Sequence, residues 1–594
     1  LLFEGRERLA LGAAAFTAFI PGFCYLGGAV SNDNLLVALA ALLLWRLLLL
    51  LHGSDSPRHW LRIGALFGLA VLTKLSLSAF AALFVAAAFY RLWRGQTTWR
   101  QALGRLALAA TVALAVCGWW LAHNLRTYGD PLGWNLILGV VDRRTCPIEV
   151  GWLLRGLFES FWGRFGGAAH IRLPLWLYGL FAAASTLALV GLAKRLWRLA
   201  HDRGWQGRGH TVAAWGLMAA WLALIVILLV RYTLTALGTN QARLLYPALP
   251  ILAAGLWLGL RECTPRRWGR PLAWAANGAL VLCNLGILFG FLAPLYGPPA
   301  APSVAEIQAM SPPLSLEFGG QARLLGYRLA HQRLAPLAPT ELTLYWQALT
   351  DVEEDYRVSL WVEGPPPYPA TEIKRAPAAG RSPTDLWRAG QVVADRYRLS
   401  LPATAPLGAY HLALGLRGFD SQEWLQPSTA QGDDSPRVPL VTLAYQAEGL
   451  AALPPTAQTL AAEFEGQLRL VGYALQEITH PTRAFVETLR VTLYWQALGA
   501  ERADLTAFVH LVDGQGRLAA GHDGMPFGGT WPTSAWPAGG VFADVHDIAL
   551  DGRCPGDMLT PVLGLYPSPA GPRLAIGDGD HVSLPPYRVS SSPF

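Results

Sequence analysis

The chain has 594 residues, 53% of them hydrophobic and only 15% charged, with a mean hydropathy of +0.31. That composition excludes a disordered chain and argues against an ordinary soluble enzyme. The net charge of +7 hides a division: residues 1–298 hold 27 Lys+Arg against 10 Asp+Glu, a net of +17, and residues 299–594 hold 20 against 30, a net of −10.

Apolar runs of bilayer-spanning length recur through the first half, over 9–29, 34–51, 61–74, 76–92, 105–122, 174–192, 212–233, 245–260 and 271–294. The third and fourth are short enough to form a re-entrant pair. With a cytoplasmic start, the inside segments carry 18 Lys+Arg and the outside segments nine, which follows the positive-inside rule. Nine spans then place everything after Pro294 outside. The outer connection 123–172 breaks the usual pattern with six arginines (126, 143, 144, 155, 164 and 172) against four acids. That excess suits an anionic ligand at the outer face, or simple snorkelling to headgroups. Within it, Trp152, Leu153, Leu157, Phe158, Phe161, Trp162 and Phe165 repeat at helical spacing, as in an amphipathic helix near 151–165 lying in the interface.

From 315 onward the pattern turns to short alternating strands punctuated by Pro and Gly. Phe318, Gly320-Gln321, Arg323 and Gly326-Tyr327 recur 146 residues later as Phe464, Gly466-Gln467, Arg469 and Gly472-Tyr473. Thr343-Leu-Tyr-Trp-Gln-Ala-Leu349 recurs at offset 149 as Thr492 to Leu498. Two β-sandwich repeats, 315–446 and 460–594, are therefore expected after a membrane domain over 1–298. His510, Asp513, His522 and Asp523 invite a metal. Asp513-Gly514-Gln515-Gly516 reads as a hairpin turn, however, and the first repeat has Trp361 where the second has His510. The shared Tyr-Trp-Gln string either stacks sugars or, more ordinarily, fills a core.

Polar groups near bilayer depth are the best functional pointers in such a chain. Ser31-Asn32-Asp33-Asn34 interrupts apolar sequence on the outer side. Asp33 suits a general base or a ligand for a divalent metal ion, or equally the N-cap of a helix starting at Leu35. Lys74 is one of three lysines in the chain and sits at an outer turn. Its ammonium, Arg126, Arg243 and Gln241 suit a donor phosphate. His123, Asn124 and His170 suit acceptor or sugar contacts, while Asp130, in Tyr128-Gly-Asp-Pro131, has turn composition. Asp33, Lys74, Arg126 and Arg243 are expected around one outer-face pocket.

These segments also carry a resemblance. Pro21-Gly-Phe-Cys-Tyr-Leu-Gly-Gly-Ala-Val-Ser-Asn-Asp-Asn34, Leu72-Thr-Lys-Leu75, Gly118-Trp-Trp-Leu-Ala-His-Asn-Leu-Arg-Thr-Tyr-Gly-Asp-Pro131, Ser160-Phe-Trp-Gly-Arg-Phe-Gly166 and Gln241-Ala-Arg-Leu-Leu-Tyr-Pro247 resemble motifs of bacterial GT-C-type membrane glycosyltransferases. The similarity is to family-39-like enzymes, the protein mannosyltransferase and aminoarabinose transferase group, and to allied predicted membrane proteins. His123 stands where those motifs usually carry Arg, and Ala242 where they carry Gly. The resemblance covers about residues 8–295. It implies a polytopic α-helical GT-C-like domain followed by two all-β sandwiches, and a polyprenyl-phosphate-linked sugar donor. It implies inverting transfer to a cell-envelope glycan, lipid or protein acceptor on the outer side of the bacterial inner membrane. Nucleic acid is not an expected partner. In that family the usual catalytic acid lies in the first outer loop, which this chain is expected to lack, so Asp33 matches at best a second acidic position. The alternative reading is a non-catalytic scaffold whose two β-domains bind surface glycans or proteins. Transport is weaker, because the polar residues gather on one face.

Overall fold

The computed structural model describes residues 7–590 except 142, 145, 167–170, 202–208, 311–312, 335–338, 367, 403–404, 429–435, 448, 479–487 and 500–501. The chain divides into two compact units, one helical and ending at Phe291, the other β-rich and beginning at Leu292.

The helical unit contains α1 (Glu7–Ala18), α2 (Pro21–Gly27), α3 (Asn32–Leu51), α4 (Pro57–Thr73), α5 (Phe80–Trp93), α6 (Trp99–Tyr128), α7 (Trp134–Val140), α8 (Val150–Gly163), α9 (Leu175–His201), α10 (Gly209–Thr235), α11 (Leu249–Glu262) and α12 (Gly269–Ile287). Among the described residues, seven helical segments are long and apolar enough to cross a membrane, or eight if the bent pair α1–α2 is one span. The expectation of nine straight spans is corrected at two places. The first run is broken, with α1 and α2 meeting at 66°. Pro21 is the first residue of α2, and its missing N–H cannot continue the ladder from α1. The third run is α4, whose 17 residues extend about 26 Å, short of the roughly 30 Å hydrocarbon core. The fourth run opens with a 3-10 turn, Leu75–Ala79, before α5. The amphipathic run near 151–165 is helical, as α8, and buries Leu153, Gly156, Glu159, Trp162 and Gly163.

A small hairpin, β1 (Arg164–Phe165) with β2 (Ile171–Arg172), follows α8. The β-rich unit starts with β3 (Pro313–Phe318), β4 (Ala322–Leu329), β5 (Arg333–Leu334), β6 (Thr340–Ala348), β7 (Tyr356–Glu363) and β8 (Thr371–Arg375). It continues with β9 (Val392–Leu399), β10 (Gly408–Gly418), β11 (Trp424–Leu425) and β12 (Val438–Tyr445). The order β3-β4-β6-β9 forms one sheet and β5-β12-β10-β7-β8 the other. They enclose a core that includes Phe318, Leu344, Trp346, Leu360, Tyr410 and Leu414.

A second pair of sheets follows, from β13 (Gln458–Phe464), β14 (Leu468–Ile478), β15 (Thr488–Ala497), β16 (Leu505–Asp513), β17 (Leu518–Gly524), β18 (Val541–Ala549), β19 (Met558–Pro567), β20 (Val582–Ser583) and β21 (Tyr587–Arg588). Its orders are β13-β14-β15-β18 and β17-β16-β19-β20. Gly326 faces Tyr345, and Gly472 faces Tyr494, each at a register shift between the second and third strands of its sheet. At both glycines the side-chain alternation slips by one residue, and both tryptophans of the Tyr-Trp-Gln string turn inward. Trp346 and Trp495 are fully buried, so they pack the cores and present no sugar-stacking face.

Candidate active site at the start of α3

Helix α3 is capped by Ser31, whose Oγ accepts from the Asp33 N–H at 3.2 Å. The expected role of Asp33 as N-cap therefore passes to Ser31, and the helix starts at Asn32 rather than Leu35. Asp33 is free to use its carboxylate elsewhere, in the first turn, where the helix dipole favours an anion. Helix α4 runs back alongside α3 and ends at Lys74, an extended residue whose N–H still bonds to the Ala70 carbonyl at 2.9 Å. That turn delivers Nζ of Lys74 to 2.5 Å from Oδ1 of Asp33. Asn32 adds a second tie, with Nδ2 donating to the Thr73 carbonyl at 3.3 Å. The Asp33 side chain is 3% exposed and that of Lys74 30%, so the carboxylate lies beneath an ammonium that still reaches solvent.

The 3-10 turn Ala242–Ala248 packs on α3, α8, α10 and α11. Its first N–H, from Ala242, donates to Ser160 Oγ at 2.8 Å. Tyr246 is buried and meets the edges of Phe23 and Phe161, with ring centroids 6.0 and 6.5 Å away. α2 approaches so closely that a Cβ on Gly22 would lie 2.5 Å from the Ser160 carbonyl oxygen and 2.7 Å from the Tyr246 hydroxyl. Arg243 projects from this turn, exposed, with no ion-pair partner among the described residues. Gln241 is spent locally, its Nε2 donating to the Gly238 carbonyl at 3.4 Å.

Of the four residues expected around one pocket, Asp33 and Lys74 touch, and Arg243 rides on a turn packed against α3. Arg126 is exposed in the last turn of α6, and no hydrogen bond or ion pair among the described residues joins it to the other three. His123 is exposed nearby. Asn124 is buried and donates through Nδ2 to the Pro131 carbonyl at 3.3 Å, a tie within the loop. Asp130 is structural: its carboxylate accepts from the N–H groups of Leu132, Trp134 and Asn135 at 3.0, 2.7 and 3.1 Å, opening α7. Those backbone bonds hold its carboxyl below the usual range. His170 lies outside the described residues.

Part of the arginine excess of the 123–172 connection is engaged within the protein. Glu159 on α8 is buried, with Arg155 Nε at 2.7 Å from one oxygen and Arg172 Nε at 3.4 Å from the other. Arg144 donates from Nε to the Thr233 carbonyl at 2.6 Å and lies over the Trp152 ring. Sequence reasoning passed over Glu159, which lies away from the apolar face of the 151–165 repeat and is buried by the packing of α8.

In the second sandwich His510, His522 and Asp523 are paired side chains, and Asp513 closes the expected hairpin, accepting from the Gln515 and Arg517 N–H groups. Among the described residues no group of three His, Cys, Asp or Glu is arranged to hold a metal ion.

No curated protein matches the chain. Residues 2–122 match the family model of the dolichyl-phosphate-mannose-protein mannosyltransferases, a stretch that contains Asp33 and Lys74 and stops before His123. That match, over the helices that bring Asp33 and Lys74 together, supports a GT-C-like membrane glycosyltransferase domain in the helical half, followed by a β-rich half.

Proposed function

We propose that the helical unit transfers a sugar from a polyprenyl-phosphate-linked donor to a cell-envelope glycan, lipid or protein acceptor. In this reading the reaction takes place at the extracytoplasmic face of the bacterial inner membrane, and the β-rich unit, a tandem duplication of one sandwich, lies on the same side. The observation that carries the reading is the Asp33–Lys74 pair, held at one end of two antiparallel helices inside the matched segment.

The chemistry asks for little more. The acceptor hydroxyl loses its proton to a carboxylate as its oxygen forms a bond to the anomeric carbon. The bond from that carbon to the phosphate oxygen breaks, and the phosphate leaves with the electron pair. Lys74, partly exposed, and Arg243, on the neighbouring turn and without an ion-pair partner among the described residues, supply charge where negative charge grows on the leaving group. Asp33 is the acid–base group of this constellation. A phosphate that draws the ammonium toward itself loosens the hold of Lys74 on Asp33, which couples donor binding to the freeing of the base.

The test uses membranes holding the full-length protein and a polyprenyl-phosphate donor with a radiolabelled sugar, following loss of label from the donor. Arg243→Ala and Lys74→Ala are each expected to slow that loss about tenfold or more. Arg243 is exposed, so its loss cannot act through misfolding. Wild-type rates in both variants would remove the proposal.

A further inference from the structure

The opposite end of the same helical hairpin holds a second site. Between the C-terminal end of α3 and the first turn of α4 lies a cavity of about 700 Å³, whose lining includes Arg46, Asp55, Ser56, Arg58, His59 and Arg62. α3 has 20 residues, which sets this cavity about 30 Å from Asp33, the depth of a bilayer core.

Its charge is uncompensated. Asp55, its one acid, is already engaged: Oδ1 accepts from Trp60 Nε1 at 2.7 Å, Arg91 Nη2 lies 3.5 Å from Oδ2, and Arg105 Nε lies 3.9 Å from Oδ1. Neither Arg91 nor Arg105 lines the cavity. Arg46, Arg58 and Arg62 line the space and have no carboxylate partner among the described residues. Arg46 is held by its neighbour Trp45, 4.3 Å from the ring centre, and its Nε is buried without a hydrogen-bond partner. The walls are fixed. His59 is buried and its Nε2 lies 3.0 Å from the Arg46 carbonyl, which ties α4 to α3, and Arg91 Nη1 donates to the Leu50 carbonyl at 2.7 Å. Ser56 Oγ caps the His59 N–H at 3.2 Å, and α4 adds its positive end to the same space.

Guanidiniums clustered around one space match the geometry of phosphate oxygens. The geometry points to a binding site for a phosphate-bearing anion at this end of the bundle, separate from the opposite end of α3 that carries Asp33. The cavity exceeds a bare phosphate ion and suits the glycerophosphate portion of an anionic phospholipid. Free phosphate shares the recognition chemistry.

The full chain, purified in a neutral detergent, is titrated with three probes at matched ionic strength: dihexanoyl phosphatidylglycerol, dihexanoyl phosphatidylcholine and sodium phosphate. Thermal unfolding and native mass spectrometry read the binding. Saturable binding of phosphatidylglycerol, with the Arg58→Gln/Arg62→Gln variant about tenfold or more weaker, establishes the site as one for a lipid headgroup. The same pattern with sodium phosphate and no preference for the lipid establishes it as a site for free phosphate. Arg100→Gln, on the exposed start of α6, should bind like the wild type in either case. Absence of saturable binding by both anions, equal binding of phosphatidylcholine, or equal losses in Arg100→Gln and the double variant would overturn the assignment. Should the double variant unfold, Arg46→Gln alone is measured, and undiminished binding there overturns it as well.

Discussion

Lys74 Nζ and Asp33 Oδ1 meet at 2.5 Å across 41 residues of chain, and this contact joins the N-terminal end of α3 to the C-terminal end of α4. Because the carboxylate is almost wholly buried and the ammonium only partly, the two partners are not equivalent. Replacing Lys74 strands a buried charge. Lys74→Met is expected to destabilise the protein by about 3 kcal/mol, and the double variant Asp33→Asn/Lys74→Met by less. Thermal or denaturant unfolding in detergent decides this; additive losses would show that the pair is not coupled.

A second expectation concerns Gly22. A methyl group there would meet the carbonyl oxygens of Ser160 and Phe161 at 2.5 and 2.6 Å, backbone atoms that cannot swing aside. Gly22→Ala should cost about 1–3 kcal/mol by forcing α2 away from α8, while Gly27→Ala, whose Cβ meets nothing within 4 Å, should be neutral. Equal unfolding midpoints for the two variants would contradict the close approach.

Glu159 offers a third. It is buried between Arg155 and Arg172, so Glu159→Ala leaves two guanidiniums facing each other without a counter-charge. A loss of about 3 kcal/mol is expected, partly restored by Arg172→Leu in the same chain. A Glu159→Ala protein as stable as the wild type would assign the arginines to solvent instead.

The second sandwich carries a histidine pair that should make its stability depend on pH. Buried Asp395 in the first is paired with Arg375 at 3.1 Å, a cation at every physiological pH. Buried Asp544 in the second meets His546 at 3.0 Å, and His546 Nδ1 lies 2.8 Å from His522 Nδ1. Burial lowers the affinity of His546 for its proton, but Asp544 and the hydrogen bond to it outweigh that and raise it overall. Burial first, then the His546 charge, lowers His522, against the smaller pull of Asp544, Asp523 and Asp547; Asp547 is itself paired with Arg490 at 2.7 Å on the neighbouring β15. For His546 the folded value lies above the unfolded one, so its stabilisation is complete in acid and is lost as pH rises through the folded value. For His522 the folded value is depressed, so stability falls as pH drops below the ordinary value near 6.5. Two protonated rings would also point two N–H groups at one another. The unfolding midpoint of the second sandwich should therefore fall on both sides of an optimum, and His522→Asn should flatten the acid limb. A pH-independent midpoint between about pH 5 and 8 would refute this.

Much of the architecture was legible because hydropathy and alternation are local signals. Every expected apolar run contains helix, and the paired Phe-Gly-Gln and Tyr-Trp-Gln strings announce two sheets with matching strand order. The bend at Pro21 was also written locally, but a continuous apolar run from 9 to 29 masked it. The Asp33–Lys74 contact was only half legible: both residues stood out as charges at bilayer depth, yet their pairing depends on α4 running antiparallel to α3. The arginines of the 123–172 connection were legible as an excess over four acids, but that Glu159 engages Arg155 and Arg172 depends on how α8 packs. Asn124 and Asp130 show the same limit, since their hydrogen bonds to loop backbone are invisible until the chain has turned.

The antiparallel pair α3–α4 is clamped at both ends, by Lys74 on Asp33 at one and by His59 on the Arg46 carbonyl at the other. A rod fastened twice can neither slide nor splay, so this hairpin behaves as a strut. The 3-10 turn bearing Arg243 is fastened twice as well, by the Ala242 N–H on Ser160 Oγ at 2.8 Å and by Trp221 Nε1 on the Pro247 carbonyl at 3.0 Å. On the proposed function, the backbone that carries the acid and the backbone that carries the arginine are both set before a donor arrives, and only the two cationic side chains need to move.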